Sequence, residues 1–498
     1  MTAPGSTRGG LLGRLQGLRG ELEIPLFRNA YALMLNTVVN SGFGLLYWIF
    51  AARTFDADEV GRGSALVSLM MLVSILTQLN FGQVLIRFLP RAGRSSARLV
   101  LVGYGLSTTL SLLAAAGVMA YCHWARAPGD PLHVSLPFAV WFMVSTAAWS
   151  VFNLQDNALT ALRSSMWVAL ENGVYGVVKL VLLVVVAGTS LADGVFTSWT
   201  LPVIALLVPV NLLIFRRLLP RHHRASAPDA GLPERGTIVR YMAGDYAGQI
   251  FNQAVSSFLP VLIVHLMGSA EAAFLLPAQT VFIAMNLLTQ SIVSSLVVEG
   301  ARDAARAHEH AVAIAKRILV TVVPGAVLVA LVAPWLLQLY GTEYRAHATT
   351  LLQLLMLSTL PHLVVTLYMT MSRLQNRTGP LAVIQGVHAV VMLTGTILLS
   401  GRLGLDAVGW SWLGIETGLA LAVLRPVIAW LRPRHGGPGP DEDPTTLIVP
   451  EGSTEQTVRI ERPPIWPATG TLGPVGPIGG YERPDGDDPP TEPFRAVR

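Results

Sequence analysis

Apolar residues in this 498-residue chain come in blocks of about twenty, broken by short stretches where Arg, Gly, Pro and acidic residues gather. An α-helix rises 1.5 Å per residue, so about 20 apolar residues cross the ~30 Å hydrocarbon core of a bilayer. The pattern therefore predicts twelve spanning helices. Spans one to six cover 29–51, 63–83, 99–121, 133–153, 166–188 and 196–215. Spans seven to twelve cover 241–266, 272–298, 318–340, 347–371, 379–400 and 407–430. The expected fold class is all-α: a polytopic membrane protein of twelve transmembrane helices in two six-helix lobes related by a pseudo-repeat. Pro260, Pro277, Pro324 and Pro361 fall inside spans, where neighbouring helices re-satisfy the freed backbone groups.

The stretch RRLLPRHHRASAPDAGLPERG divides the spans six and six. Moving one half along the other by 212 positions aligns Arg28 with Arg240, Asn40 with Asn252 and Glu59 with Glu271. It also aligns Leu76-Thr77-Gln78 with Leu288-Thr289-Gln290. These polar matches fall on spans one and two and again on seven and eight, as in an internal repeat with a site at the repeat interface. Five regions follow: an N-terminal segment 1–28, a first lobe 29–216, a basic linker 217–239, a second lobe 240–431 and a tail 432–498. In the first, Leu11, Leu15, Leu18 and Leu22 recur at helical spacing with Arg14 and Arg19 between them, the pattern of a helix lying on a membrane surface. The tail is rich in Pro, Gly and acid and reads as disordered.

Composition agrees: 52% of residues are hydrophobic and 13% charged, against about 25% charged in soluble domains. The first twenty residues lack an apolar core, so no cleavable leader is expected. Cys122 is the single cysteine and has no intramolecular disulfide partner. Charge sets the orientation. With both termini cytoplasmic, the inside loops and flanks hold 23 Arg and Lys and the outside loops five (Arg53, Arg62, Arg126, Arg345 and Arg402). The expected location is a bacterial cytoplasmic membrane, with 1–28, 217–239 and 432–498 inside the cell. The net charge of +5 is then a topology signal and implies no nucleic-acid partner.

The stretch FDADEVGRGSALVSLMMLVSILTQLNFGQVLIRFLPR (55–91) resembles a signature of polysaccharide and oligosaccharide-lipid exporters: an acidic loop, a Gly, a long apolar span, a small-residue turn and a closing LPR. MGSAEAAFLLPAQTVFIAMNLLTQSIVSSLVVEGAR (267–302) repeats that layout in the second half. The chain is thus similar to the multidrug/oligosaccharidyl-lipid/polysaccharide (MOP) superfamily, which holds O-antigen flippases, lipid II flippases and multidrug antiporters. The resemblance implies two six-helix lobes around a cavity lined largely by spans one, two, seven and eight. It also implies a lipid-diphosphate-linked sugar as cargo, moved by alternating access. Lipid II flippases carry a basic residue on the eighth helix; here 272–298 has no Arg or Lys.

Against that background, the substrate-binding candidates are Arg28, Asn40, Gln78, Lys179, Arg240, Asn252 and Gln290. Arg28 and Arg240, at corresponding cytoplasmic mouths, are planar bidentate donors suited to a diphosphate or to lipid phosphate. The amides, with Asn36, Asn80, Gln249, Gln253, Gln279 and Asn286, suit sugar hydroxyls or interhelical hydrogen bonds. Asp245, Glu416 and Glu171 are the ion-coupling or charge-pairing candidates. Lys179 lies thirteen residues into its span, roughly 20 Å deep, where a charge costs about 2.5–3.5 kcal/mol. Lys179 is expected to face the cavity and, in the empty, closed state, to pair with a carboxylate or lose its proton; Glu171 is eight residues from it, so Glu416 is the better candidate partner. His388 is expected to be a packing residue.

Four functions compete on these residues. The first is a flippase exporting a lipid-linked oligosaccharide for the cell envelope. The second is a cation-coupled multidrug antiporter. An enzyme is disfavoured, because the outside loops are roughly ten residues or fewer and hold no catalytic or metal-ligating cluster; no cofactor is implied. A scaffold is the fourth: Thr445 and Thr457, each followed three residues later by Ile, resemble ligands of phosphothreonine-binding domains. The implied partners are the lipid-linked glycan, bilayer lipids and such a domain.

Overall fold

The computed structural model describes residues 25–124, 134–189, 193–225, 232, 235–300, 307–374 and 379–431. Along 25–35, 37–38, 243–254, 290–300, 307–318, 373–374 and 379–380, and at 235, 240, 382 and 431, it describes the helical backbone alone. The first lobe comprises α1 (Pro25–Thr54), α2 (Ala57–Thr77), α3 (Phe81–Phe88), α4 (Ser96–Trp124), α5 (Leu136–Ala161), α6 (Ser165–Ala187), α7 (Gly194–Leu213) and α8 (Leu219–Ala225). The second comprises α9 (Arg235–Met267), α10 (Ser269–Gly300), α11 (Ala307–Gln338), α12 (Thr342–Leu374), α13 (Gly379–Leu403) and α14 (Asp406–Leu431). Ten helical stretches among the described residues are long and apolar enough to cross a membrane. The expected all-helical, two-lobed fold is observed.

Breaks fall where the sequence supplies stops. Gly268 and Gly341 turn the chain at positive φ, 101° and 150°, where a side chain would be strained. Several helices overrun the expected spans, and at two places the helix pattern itself differs from expectation. Span two is not continuous: Leu79 and Asn80 take φ of 49° and 62°, and the helix restarts as α3. Asn tolerates that left-handed conformation, and Leu79 beside it is strained. Span six continues beyond residue 216, because a π-turn at Ile214–Leu218 carries α7 into α8.

The lobes repeat one packing scheme. α1 packs on α6 as α9 packs on α13; α4 on α5 as α11 on α12; and α5 on α7 as α12 on α14. Across the lobes, α2 packs on α9 and α10. The Asp58 carboxylate accepts a hydrogen bond from the Ala270 backbone N–H at 3.1 Å, and the two positions are 212 apart. Gly61 meets the backbone of Ser269 and Ala273, and Ala273 is again 212 residues on. Under two-fold symmetry, equivalent residues touch only beside the axis. These contacts place the pseudo-two-fold axis between α2 and α10 and give the repeat register directly. They also join the lobes at the end of the bundle that is poor in arginine.

Candidate functional site

The first lobe buries a lysine among aromatic rings. Lys179, on α6, is 2% exposed. Its Nζ lies 3.8 Å from the ring centroid of Trp199, 4.8 Å from that of Tyr175 and 5.3 Å from that of Tyr47. The rings are pinned to α7: the Tyr47 hydroxyl donates to the Val195 carbonyl at 2.7 Å, and the Tyr175 hydroxyl to the Trp199 carbonyl at 3.2 Å. A desolvated cation over a ring gains about 2 kcal/mol or more, which offsets part of the cost of burial. Among the described residues no carboxylate forms an ion pair with Lys179. The expected pairing with Glu416 is therefore corrected. Three rings on α1, α6 and α7 surround the amine, and Glu416 is engaged in the other lobe.

Nearer the arginine-rich end, polar side chains of three helices meet. Asn40 on α1 donates to Asn172 on α6 at 3.4 Å, and Asn172 donates to the Asp156 carboxylate on α5 at 3.0 Å. Glu171 is buried beside them, and both of its carboxyl oxygens lack a protein partner. Sequence reasoning missed Asp156. The hydropathy window closes span four at 153, whereas α5 runs on to Ala161 and takes Asp156 inside. Gln78 spends its amide within the lobe, donating to Ser74 Oγ at 3.2 Å and the Ser150 carbonyl at 3.3 Å.

The second lobe centres on Glu416, which is 2% exposed on α14. Its Oε1 is hydrogen-bonded to His362 Nδ1 at 3.0 Å. His388 Nε2 stands 3.2 Å from the same oxygen but off the line of a hydrogen bond. The cluster lines a cavity of about 480 Å³ with Gln279, Asn286, Gln385 and Trp412, a volume within the range of small-molecule pockets. His388, expected to be a packing residue, instead faces this cavity and Glu416. His362 escaped notice as a lone His in an apolar run; its one signal is its place in mid-span, one residue after Pro361.

The structure thus brings Asn40 and Glu171 together in one lobe, holds Lys179 deeper in it and sets Glu416 in the other. Arg28, Arg240, Asp245, Asn252 and Gln290 lie on α1, α9 and α10, but their side chains are outside the described residues, as are Thr445 and Thr457. Among the described residues no cluster of three His, Cys, Asp or Glu could hold a metal ion.

At the arginine-poor end, Arg53 adds to the Asp58–Ala270 contact. Its guanidinium donates to the Leu339 and Gln338 carbonyls at 2.9 and 2.7 Å, at the end of α11. Asp58 meets one of the free N–H groups in the first turn of α10, where a carboxylate also opposes the helix dipole favourably.

No protein-family model matches the sequence, and no curated protein matches it. Solved structures do. One described as the inward-facing conformation of a multidrug resistance MATE family transporter of the MOP superfamily superposes with a TM-score of 0.59. It has 14% identity and covers 81% of this chain and 98% of that one. The outward-facing conformation of such a transporter gives 0.53, with 14% identity and coverage of 86% and 100%. A MOP superfamily transporter from Pyrococcus furiosus, whose description reports a binding pocket of reverse polarity suggesting a different function, gives 0.54, with 13% identity and the same coverage. The chain has the fold of the MOP superfamily.

Proposed function

We propose that this protein is an alternating-access membrane transporter that exports a lipid-diphosphate-linked oligosaccharide across a bacterial cytoplasmic membrane for envelope synthesis. The fold supports transport, and one observation carries the choice of cargo. The first lobe holds a buried lysine, Lys179, that pairs with no carboxylate among the described residues. A cationic drug gains nothing from such a basic group, whereas an anionic diphosphate is stabilised when it holds its proton. The Pyrococcus furiosus transporter, with its pocket of reverse polarity, supports the idea that charge tracks cargo on this fold. The amides and Trp412 of the second-lobe cavity suit the sugar.

With the arginine-rich end in the cytoplasm, the orientation that the 23-to-5 distribution supports, the Asp58–Ala270 and Arg53 contacts close the extracytoplasmic side. That closure accords with the higher TM-score against the inward-facing structure. A cysteine introduced at 230 in a Cys122→Ser background is expected to resist an impermeant thiol reagent in intact cells; labelling would reverse the orientation.

A cation-coupled multidrug antiporter is the second reading, favoured by the buried Asp156 and Glu171 carboxyl groups. Mass spectrometry of lipids that co-purify in mild detergent separates the two. A diphosphate-linked glycan supports export; its absence, with saturable binding of a cationic dye, supports the antiporter.

A further inference from the structure

A groove of about 480 Å³ runs between α6 and α7 on the outer face of the first lobe, away from Lys179 and from the second-lobe cavity. Trp167, Leu170 and Val174 form one wall and Leu206, Pro209 and Val210 the other. Arg216 and Arg217 close it at the arginine-rich end, and both are exposed. Adjacent side chains on an α-helix diverge by about 100° and do not normally share a groove. Here both belong to the Ile214–Leu218 π-turn, whose wider i→i+5 winding reduces that divergence.

Length and charge identify an occupant. From Leu206 to Arg217 is eleven residues, about 16 Å of helix, close to the ~15 Å of one leaflet of a 30 Å hydrocarbon core. The walls are apolar along that length, and the two cations sit at its mouth. Glu171, the one acidic lining residue, lies six residues into α6, about 9 Å from its start, level with the chain and not with the arginines. We propose that this groove binds one anionic phospholipid of the surrounding bilayer, its phosphate held by Arg216 and Arg217 and one acyl chain laid between α6 and α7. A lipid-linked cargo is a poorer fit, because a long polyprenyl chain overruns a one-leaflet groove.

The test uses the full chain, delipidated in mild detergent and titrated with phosphatidylglycerol or phosphatidylcholine, with bound lipid counted by native mass spectrometry. Phosphatidylglycerol is expected to be retained at a stoichiometry of one, in preference to phosphatidylcholine. Each arginine near a bilayer surface strengthens anionic-lipid binding about fivefold, so Arg216→Gln/Arg217→Gln should weaken retention about thirtyfold. Arg221→Gln/Arg224→Gln, altering two nearby arginines outside the groove, should retain the lipid. Val210→Trp, which fills the groove and keeps both arginines, should lose it, and this variant carries the test if the double arginine variant fails to fold. Equal retention of the two phospholipids, undiminished binding in both groove variants, or displacement of phosphatidylglycerol by an equimolar polyprenyl diphosphate would each overturn the assignment.

Discussion

Substituting Gly61→Ala tests whether the lobes must meet at the arginine-poor end. A Cβ built on Gly61 falls 1.6 Å from the Ser269 carbonyl oxygen, 2.6 Å from its carbon and 2.9 Å from the Ala273 nitrogen. All three are backbone atoms, so no side chain can rotate away. Ordinary contact begins near 3.4 Å, so α2 and α10 must part by roughly 1.8 Å to admit one methyl group. The Asp58–Ala270 hydrogen bond, already 3.1 Å long, does not survive that separation. Overpacking of this kind costs about 1–3 kcal/mol, and a cost of that size borne by the closed state alone lowers its population about 5- to 150-fold. The assay is oxidative cross-linking of an Asp58→Cys/Ala270→Cys pair in a Cys122→Ser background. The added Gly61→Ala change should slow cross-linking at least fivefold and reduce transport, with the melting temperature little altered. Cross-linking and transport equal to those of the Gly61 parent would refute the closure.

Three further outcomes are expected. Lys179→Met fills similar space without a buried charge, so melting temperature should hold or rise while transport of an anionic cargo is lost; a stability loss rescued by Glu416→Gln would restore the ion pair that the geometry rejects. Glu416→Ala leaves His362 and His388 facing an empty site and should destabilise the fold by about 3–5 kcal/mol in thermal or denaturant unfolding, whereas Glu416→Gln keeps an acceptor and should lose less. Burial raises the Asp193 carboxyl above its ordinary 3.8 by more than the Arg62 guanidinium, 2.9 Å away, lowers it; a raised carboxyl binds a proton on folding, so stability declines as pH rises through the interval above 3.8, and Asp193→Asn should flatten that slope in melting curves.

Much of the fold was legible because each span must bury its own backbone hydrogen bonds in hydrocarbon, which leaves a run of about twenty apolar residues for each helix. The repeat was legible through a few polar coincidences, and the contact of Asp58 with Ala270, 212 positions apart, confirms that register in space. Hydropathy cannot see the left-handed pair at Leu79 and Asn80, because both flanks stay apolar, nor the π-turn that prolongs α7. The site was less legible. Lys179 stood out as a lone charge, but the rings that hold it come from α1 and α7 as well as α6, and nothing local in the sequence joins Tyr47 to Trp199. Glu416 stood out for the same reason, while its partners His362 and His388 resemble any isolated histidine until the helices are packed. Asp156 fell just beyond a hydropathy window.

The most direct measurement reconstitutes the protein in liposomes with a diphosphate-linked oligosaccharide lipid in the bilayer and follows how much glycan an external, impermeant glycosidase can reach. Without protein, about half the glycan should stay protected. With the wild-type chain the protected half should become accessible with time, and with Lys179→Met it should not. If the glycan stays protected in wild-type liposomes while an imposed ion gradient drives a lipophilic cation across the same membranes, the chain is a cation-coupled antiporter and the proposed cargo is wrong.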